Sequence, residues 1–114
     1  MRAVVDRFYD LMEFDPAYTA IRALHAASLA AAREKLFLFL SGWLGGPPLY
    51  TERYGHPRLR ARHLPFPIAT VERDQWLACM DRALADSDVE PALRAGLMKA
   101  FFQTADWMRN RADP

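Results

Sequence analysis

Apolar residues recur along most of this chain at the three- and four-residue spacing that places them on one face of an α-helix. The first such stretch covers residues 3–14, where charged residues separate Val5, Phe8, Tyr9 and Met12. No stretch alternates apolar and polar residues for long enough to indicate a strand. The pattern therefore predicts an all-α protein with about five helices, and it places Tyr9 on the apolar face of the first one.

Start and stop signals divide the first half of the chain into helices. Asp15-Pro16 combines an N-cap carboxylate with a proline in the first turn, and it predicts a short helix that reaches about Leu24. Ser28 can cap the next helix, which the Gly-Gly-Pro-Pro run at residues 45–48 must end. Because the second half of that helix is apolar on nearly every side, we expect it to be buried.

The second half of the chain contains two further helix patterns. Thr70 can cap a helix whose apolar face includes Trp76 and Met80. Residues 87–90 (Ser-Asp-Val-Glu) match a capping box, which predicts that the serine caps the last helix. That helix is expected to fray from Arg109 onward.

The composition is that of a small soluble domain. Its 114 residues, 52% of them hydrophobic, suffice for one domain (residues 1–114) with a core of its own. The most apolar run, residues 36–40, is far shorter than the roughly 20 residues that span a bilayer, so no membrane partner is expected. The single cysteine, Cys79, excludes an internal disulfide and fits a reducing compartment. Because charged residues also interrupt any N-terminal secretory signal, we expect a cytoplasmic protein.

Charge gives little support for a nucleic-acid partner. The net charge of +1 provides no overall field that would attract nucleic acid, and none is expected as a partner. The basic residues of one segment, Arg53, Arg58, Arg60 and Arg62, form a cluster with little aromatic interleaving. This cluster either is a solvated surface or captures an anion through one or two guanidinium groups.

The most constrained part of the chain surrounds His63. It lies in a long predicted connection, residues 49–68, where it ends a short helical piece. Pro65 and Pro67 then prevent regular helix, because proline lacks a backbone donor and disfavours helix in the residue before it. An imidazole held beside cations and followed by apolar residues suits an axial ligand to a large, flat, anionic cofactor. The alternative is that His63 only ends a helix.

Other candidate chemistry is sparse. His56 and His63 would lie roughly 10 Å apart along a helix, too far to share one zinc ion, and Cys79 has no partner at ligand spacing. Tyr9, His25 and Trp76 each combine an apolar body with a polar tip. Each of the three could pack with its tip at the surface, or all could point with His63 into one apolar cavity.

Four segments together resemble the group II truncated haemoglobins. They are Arg-Phe-Tyr at residues 7–9, REKLFLFLSGWLGGP at 33–47, YGHPRLRARH at 54–63 with Pro65 and Phe66, and ERDQWLACM at 72–80. Their order and spacing hold from residue 7 to about residue 84. The Gly-Gly-Pro, Gly-His-Pro-Arg-Leu-Arg and Asp-x-Trp-Leu signatures are highly specific in combination.

The resemblance implies a globin-like 2-over-2 helical sandwich that encloses one haem b (iron protoporphyrin IX). Group II chains normally carry a further short helix and a glycine pair ahead of the Arg-Phe-Tyr segment. Here Arg7 stands only six residues after Met1, so we expect most or all of that first helix to be lacking. Because its loss would uncover one side of the core, both a monomer and a homodimer stay open.

The resemblance also implies roles for individual residues. His63 matches the iron ligand, and its second ring nitrogen is expected to donate to a carbonyl near Leu59. Arg62 and Arg60 are expected to pair with the haem propionates. The remaining expected cofactor contacts are Phe66, Ile68, Leu36, Met80 and Trp76. The expected ligand-binding (distal) residues are Tyr9, His25, Trp76, Leu36 and Ala32.

The function that follows is the binding of O2 and other small ligands such as NO, CO or peroxide, within a family associated with oxygen binding and transport. Because a pocket rich in hydrogen-bond donors holds oxygen tightly, redox chemistry such as NO dioxygenation or a peroxide reaction fits better than bulk storage. An enzymatic turnover of this kind would need an external reductase. The alternative is a non-catalytic helical sensor or interaction module on a globin core.

Overall fold

The computed structural model describes residues 2–43, 49–54, 63 and 66–110. These residues include α1 (Arg2–Phe14), α2 (Thr19–Ala23), α3 (Ala30–Trp43), α4 (Leu49–Tyr54), α5 (Thr70–Asp86) and α6 (Pro91–Trp107), with a 3₁₀ turn at Pro16–Tyr18. No strand occurs in this described part of the chain. The predicted all-α fold is confirmed.

Two pairs of long helices form the body of the molecule. Helix α1 packs against α3 in one pair, and α5 packs against α6 in the other. The pairs are joined because α1 also packs along α5, while α2 closes one end by contacting both α1 and α5. This is the two-over-two arrangement that the resemblance to the truncated haemoglobins implies.

The apolar face of α1 forms the centre of the core. Val5 and Phe8 are fully buried and Met12 is 1% exposed. They pack with buried residues of α5, including Met80 and Cys79. The Cys79 thiol donates a hydrogen bond to a carbonyl of α1 at 3.2 Å, and burial raises its pKa to about 12. The thiol is therefore protonated and structural.

An ionic contact links α1 to α3. The guanidinium of Arg33 donates to the Asp10 carboxylate at 2.6 Å and approaches the Asp6 carboxylate at 3.3 Å. Because these carboxylates are about half exposed, water screens the attraction, and the pair contributes more to the register of the two helices than to stability.

Part of the predicted long connection is helical. Residues 49–54 form α4, a helix that the sequence analysis did not predict within this connection. Tyr50 is buried and lies edge-on to Phe39 of α3, with ring centroids 6.2 Å apart. A helix of six residues is not stable alone, and packing against α3 stabilises it. Residues 55–62 and 64–65 lie outside the described residues, whereas His63 has a helical backbone.

Two predicted helix caps are also wrong. Ala69, not Thr70, is the N-cap of α5, and the Glu72 carboxylate accepts from the Ala69 N–H at 3.1 Å. Ser87 does not begin the last helix, because it ends α5. Glu90 caps α6 instead.

The reason lies in the turn between the two helices. The Ser87 N–H still bonds to a carbonyl of α5, so the chain must reverse after it. It does so through Asp88, whose φ of 58° is left-handed. Glu90 then accepts from the N–H groups of Ala92 and Leu93, both at 3.1 Å.

The three residues that follow α6 (108–110) are held by hydrogen bonds. The helix ends at Trp107, but Arg109 and Asn110, expected to fray, both make backbone bonds. None of the helices in the described ranges is long and apolar enough to cross a bilayer.

Replacing Glu90 with alanine is expected to lower the free energy of unfolding by about 1 kcal/mol, because two N–H groups at the start of α6 lose their acceptor. Ser87→Ala is the matched control and should change it by less than about 0.5 kcal/mol. Urea unfolding followed by far-ultraviolet circular dichroism measures both. A larger loss for Ser87→Ala would support the capping box that the sequence predicted.

Candidate functional site

A cavity of about 420 Å³ lies between the helix pairs. Helices α1, α2, α3, α5 and α6 contribute to its walls, together with residues of the segment that follows His63. Its volume falls within the roughly 300–1,000 Å³ of sites for small molecules and cofactors. The cavity is therefore the candidate functional site.

The walls of the cavity are mostly apolar. Of the predicted wall residues, Leu36, Phe66, Ile68 and Trp76 line it. Met80 does not, because it is fully buried in the core between α1 and α5. The other apolar lining residues are Ile21, Leu24, Phe39, Leu40, Trp43, Phe101 and Met108. The haem contacts expected of the first four residues and of Met80 stay predictions.

Tyr9 and Trp76 bring hydrogen-bond donors to this apolar space. Both line the cavity, and Phe8 lies edge-on to both rings, at centroid distances of 4.9 and 5.2 Å. Among the described residues no acceptor receives the Tyr9 hydroxyl or the Trp76 indole N–H. Every fully buried side-chain N or O atom in that part of the chain has a hydrogen-bond partner, so these two polar atoms are not fully buried. Because both residues line the cavity, the two atoms face its open space.

The Tyr9 hydroxyl is a neutral donor. Burial raises the pKa of Tyr9 well above its ordinary value, and the charge of Arg33 opposes this only in part. The Arg33 guanidinium lies 5.8 Å from the Tyr9 ring centre. The phenol therefore keeps its proton at neutral pH.

His25 is held in one tautomer. Its Nδ1 lies 2.8 Å from the carbonyl oxygen of Ile21, and a carbonyl can only accept, so Nδ1 carries the proton. Burial lowers the pKa of His25 below its ordinary value, which favours the neutral ring. In that ring Nε2 has a lone pair and acts as an acceptor. The His25 ring lies edge-on to Tyr9, with centroids 5.9 Å apart.

His63 also lines the cavity. Its carbonyl accepts from the Phe66 N–H at 2.9 Å. Leu59, expected to accept from its ring, lies outside the described residues, as do Arg60 and Arg62. The iron-ligand role of His63 and the propionate contacts of the two arginines therefore stay predictions.

The cavity has polar lining residues that the sequence analysis missed. They include Lys35, one turn after Ala32 on α3, and Arg73, one turn before Trp76 on α5. The signal was their helical spacing from residues already predicted to line the pocket. Arg73 is bonded to Asp106 at 2.8 Å. Ala32, a predicted distal residue, is half-buried and lines the cavity.

This set of residues fits a haem. A flat apolar macrocycle needs apolar walls, its iron needs a neutral nitrogen ligand, and its carboxylates need cations near the rim. The cavity has the walls, the imidazoles of His63 and His25, and the cationic side chain of Lys35. The guanidinium of Arg73 is already paired with Asp106 and Asp74.

Comparison with known proteins decides the family. The bacterial-like globin family matches residues 1–110. A group 2 truncated haemoglobin of Bacillus subtilis is 40% identical over 110 residues, which make up 96% of this chain and 81% of that protein. The chain belongs to the group II truncated haemoglobins.

Two solved structures of truncated haemoglobins are closely similar to this one. The group II 2-on-2 haemoglobin of the plant pathogen Agrobacterium tumefaciens gives a TM-score of 0.93 at 40% identity, over 98% of this chain and 86% of that chain. The truncated oxygen-avid haemoglobin of Bacillus subtilis gives 0.87 at 40% identity, over 96% and 90%. As a truncated haemoglobin, this protein has haem b as its cofactor and binds small gaseous ligands.

The lowered pKa of His25 should make stability depend on pH. As pH falls below about 6.5, the ordinary histidine pKa, the unfolded chain takes up a proton at residue 25 before the folded protein does. The free energy of unfolding should therefore fall with pH, down to the lowered folded-state pKa. His25→Phe, which keeps a ring beside Tyr9, should lose this component of the slope. Urea unfolding between about pH 5 and 8 tests this, and equal slopes in the two proteins would contradict it.

Proposed function

We propose that this truncated haemoglobin holds its haem iron through His63 and retains a diatomic ligand through hydrogen bonds from Tyr9 and Trp76. The observation that carries the proposal is the pair of donors facing an apolar cavity without an acceptor among the described residues. A donor in such a place gains a partner only from what occupies the cavity. Each such hydrogen bond contributes about 0.5–1.5 kcal/mol.

The ligand set of the cavity supports His63 as the iron ligand. No three His, Cys, Asp or Glu residues of the described ranges stand close enough together to hold a metal ion by themselves. A metal bound at this cavity therefore needs other ligands, which a porphyrin supplies, and a single imidazole is then sufficient. His25 could also offer Nε2, because its Nδ1–H donates to the Ile21 carbonyl, and the match of His63 to the iron ligand of the truncated haemoglobins is what favours His63.

When bound, haem supplies an iron centre that takes a small ligand and exchanges electrons. The residues around it bind the ligand, exclude water and pair with the propionates. Tyr9 and Trp76 donate to the ligand, and neutral His25 can accept at Nε2 from a protonated ligand. Leu36 and Ala32 bound the space on the α3 side and exclude water. For the propionates we propose Arg60 and Arg62, with Lys35 as a further cation at the cavity.

A site of this kind suits redox chemistry better than oxygen delivery. Two donors in an apolar cavity slow the loss of dioxygen, and slow loss is a disadvantage for delivery. The related truncated haemoglobin of Bacillus subtilis is oxygen-avid, in keeping with this argument. We propose NO dioxygenation or a peroxide reaction as the activity. Such turnover consumes electrons, which a separate reductase would supply.

His63→Gly is expected to lose the Soret band of a histidine-ligated haem, or to shift it strongly, because the glycine supplies no ligand. Added imidazole should restore the band, since it fits the space that the side chain leaves. Absorption spectra of the ferric protein and of the reduced protein with CO measure this, and circular dichroism checks that the variant is folded. An unchanged spectrum would exclude His63 as the ligand. A wild-type protein that takes up no haem would favour the non-catalytic module.

Tyr9→Phe and Trp76→Phe are each expected to raise the rate of oxygen dissociation roughly tenfold, because a hydrogen bond of about 1.4 kcal/mol is lost. The rate of CO dissociation should change less, because CO is the poorer acceptor. Tyr18→Phe is the matched control, a buried tyrosine that does not line the cavity. Laser photolysis and ligand replacement measure these rates. Equal changes for O2 and CO would indicate a steric effect and contradict the donor role.

A further inference from the structure

Asn110 ties the segment that contains His63 to the end of α6. It stands three residues beyond the last residue of that helix, at a position where the sequence predicted fraying. Its side-chain Nδ2 donates to the carbonyl of His63 at 3.1 Å and to the carbonyl of Phe66 at 2.8 Å. Both donors of the amide are thereby used on the backbone that carries the candidate iron ligand.

The side-chain oxygen and the backbone N–H of Asn110 both bind Ile68. The Asn110 Oδ1 accepts from the Ile68 N–H at 3.0 Å, and the Asn110 N–H donates to the Ile68 carbonyl at 2.8 Å. Four hydrogen bonds thus join one asparagine to three residues of a short segment. Because Ile68 and Phe66 also line the cavity, the bonds fix the cavity wall together with the His63 backbone.

Asn110 adds donors that this segment does not supply itself. Pro67 has no N–H group to donate. The His63 carbonyl accepts from the Phe66 N–H and takes a second bond from Asn110, and the Phe66 carbonyl also accepts from Asn110.

The end of α6 is a firm anchor for these bonds. Asp106 accepts from Arg73 of α5 at 2.8 Å and from Arg109 at 2.7 Å, so the last turn of α6 is fixed to α5. Met108, two residues before Asn110, is buried and lines the cavity. The position of Asn110 is therefore set by both helices of one pair.

We propose that Asn110 is a positioning residue for the iron ligand, which sets the place of the His63 backbone and so the strength of the bond from its imidazole to iron. The proposal rests on the proposed role of His63. Because Asn110 binds the carbonyls of His63 and Phe66, the backbone of His63 cannot shift, and its imidazole stays at a fixed distance from the iron. Loosening the hold should weaken that bond and speed the loss of haem.

Asn110→Asp is the sharpest test because it is nearly isosteric. The carboxylate still accepts from Ile68, but it cannot donate to the carbonyls of His63 and Phe66. The rate of haem transfer to an excess of an apo-globin acceptor should rise about tenfold, and more in Asn110→Ala. The iron–histidine stretching band in the resonance Raman spectrum of the reduced protein should shift to lower frequency. Amide exchange at Phe66 and Ile68 should become faster.

Glu90→Ala is the matched control, since it weakens the other end of α6 without touching the His63 segment. It should leave the Raman band in place even though the protein is less stable. A Raman band and a transfer rate in Asn110→Asp and Asn110→Ala equal to those of Glu90→Ala would overturn the proposal, whatever the exchange rates. If His63→Gly keeps the wild-type spectrum, the proposed function fails. If His63→Gly changes the spectrum and the Asn110 variants match Glu90→Ala in both the Raman band and the transfer rate, only the role of Asn110 fails.

Discussion

The packing of α1 against α5 is the interaction on which the rest of the structure depends. Phe8 is fully buried at this contact, and its carbonyl accepts from the Cys79 thiol of α5. The next residue along the chain, Tyr9, faces the cavity, and Trp76 lies three residues before Cys79 on α5. The core and the site therefore share the same two helices, and the packing that stabilises the fold also sets the distance between the two donors.

The cavity combines neutral polar groups with apolar walls. Burial raises the pKa of Tyr9 and lowers that of His25, so both favour their uncharged forms. The main-chain carbonyl of Ile21 fixes the proton of His25 on Nδ1 and leaves an acceptor at Nε2. These three residues consequently present two donors and one acceptor without a net charge. A small polar ligand can be retained there by hydrogen bonds alone.

Much of the fold and part of the site could be predicted from the sequence. The apolar spacing of α1 and the Asp15-Pro16 signal are local, and the helices they predicted are present. The predicted caps at residues 70 and 87 were wrong because a capping motif is recognised from residue types alone. The path of the chain into each helix decides which residue occupies the N-cap position, and here these are Ala69 and Glu90. Helix α4 was missed because its stability comes from the contact of Tyr50 with α3.

The sequence by itself determined the all-α class, the positions of the long helices, and the family to which its motifs are specific. It also singled out Tyr9, His25, His63 and Trp76, because polar-tipped residues on apolar faces are visible in the pattern. Only the tertiary structure decided that these four line one cavity, that Met80 does not, and which nitrogen of His25 carries its proton. Only the tertiary structure also shows that Asn110 is hydrogen-bonded to His63, which is 47 residues away in the chain. Hydrogen bonds between distant segments depend on how the helices pack, and no local pattern records them.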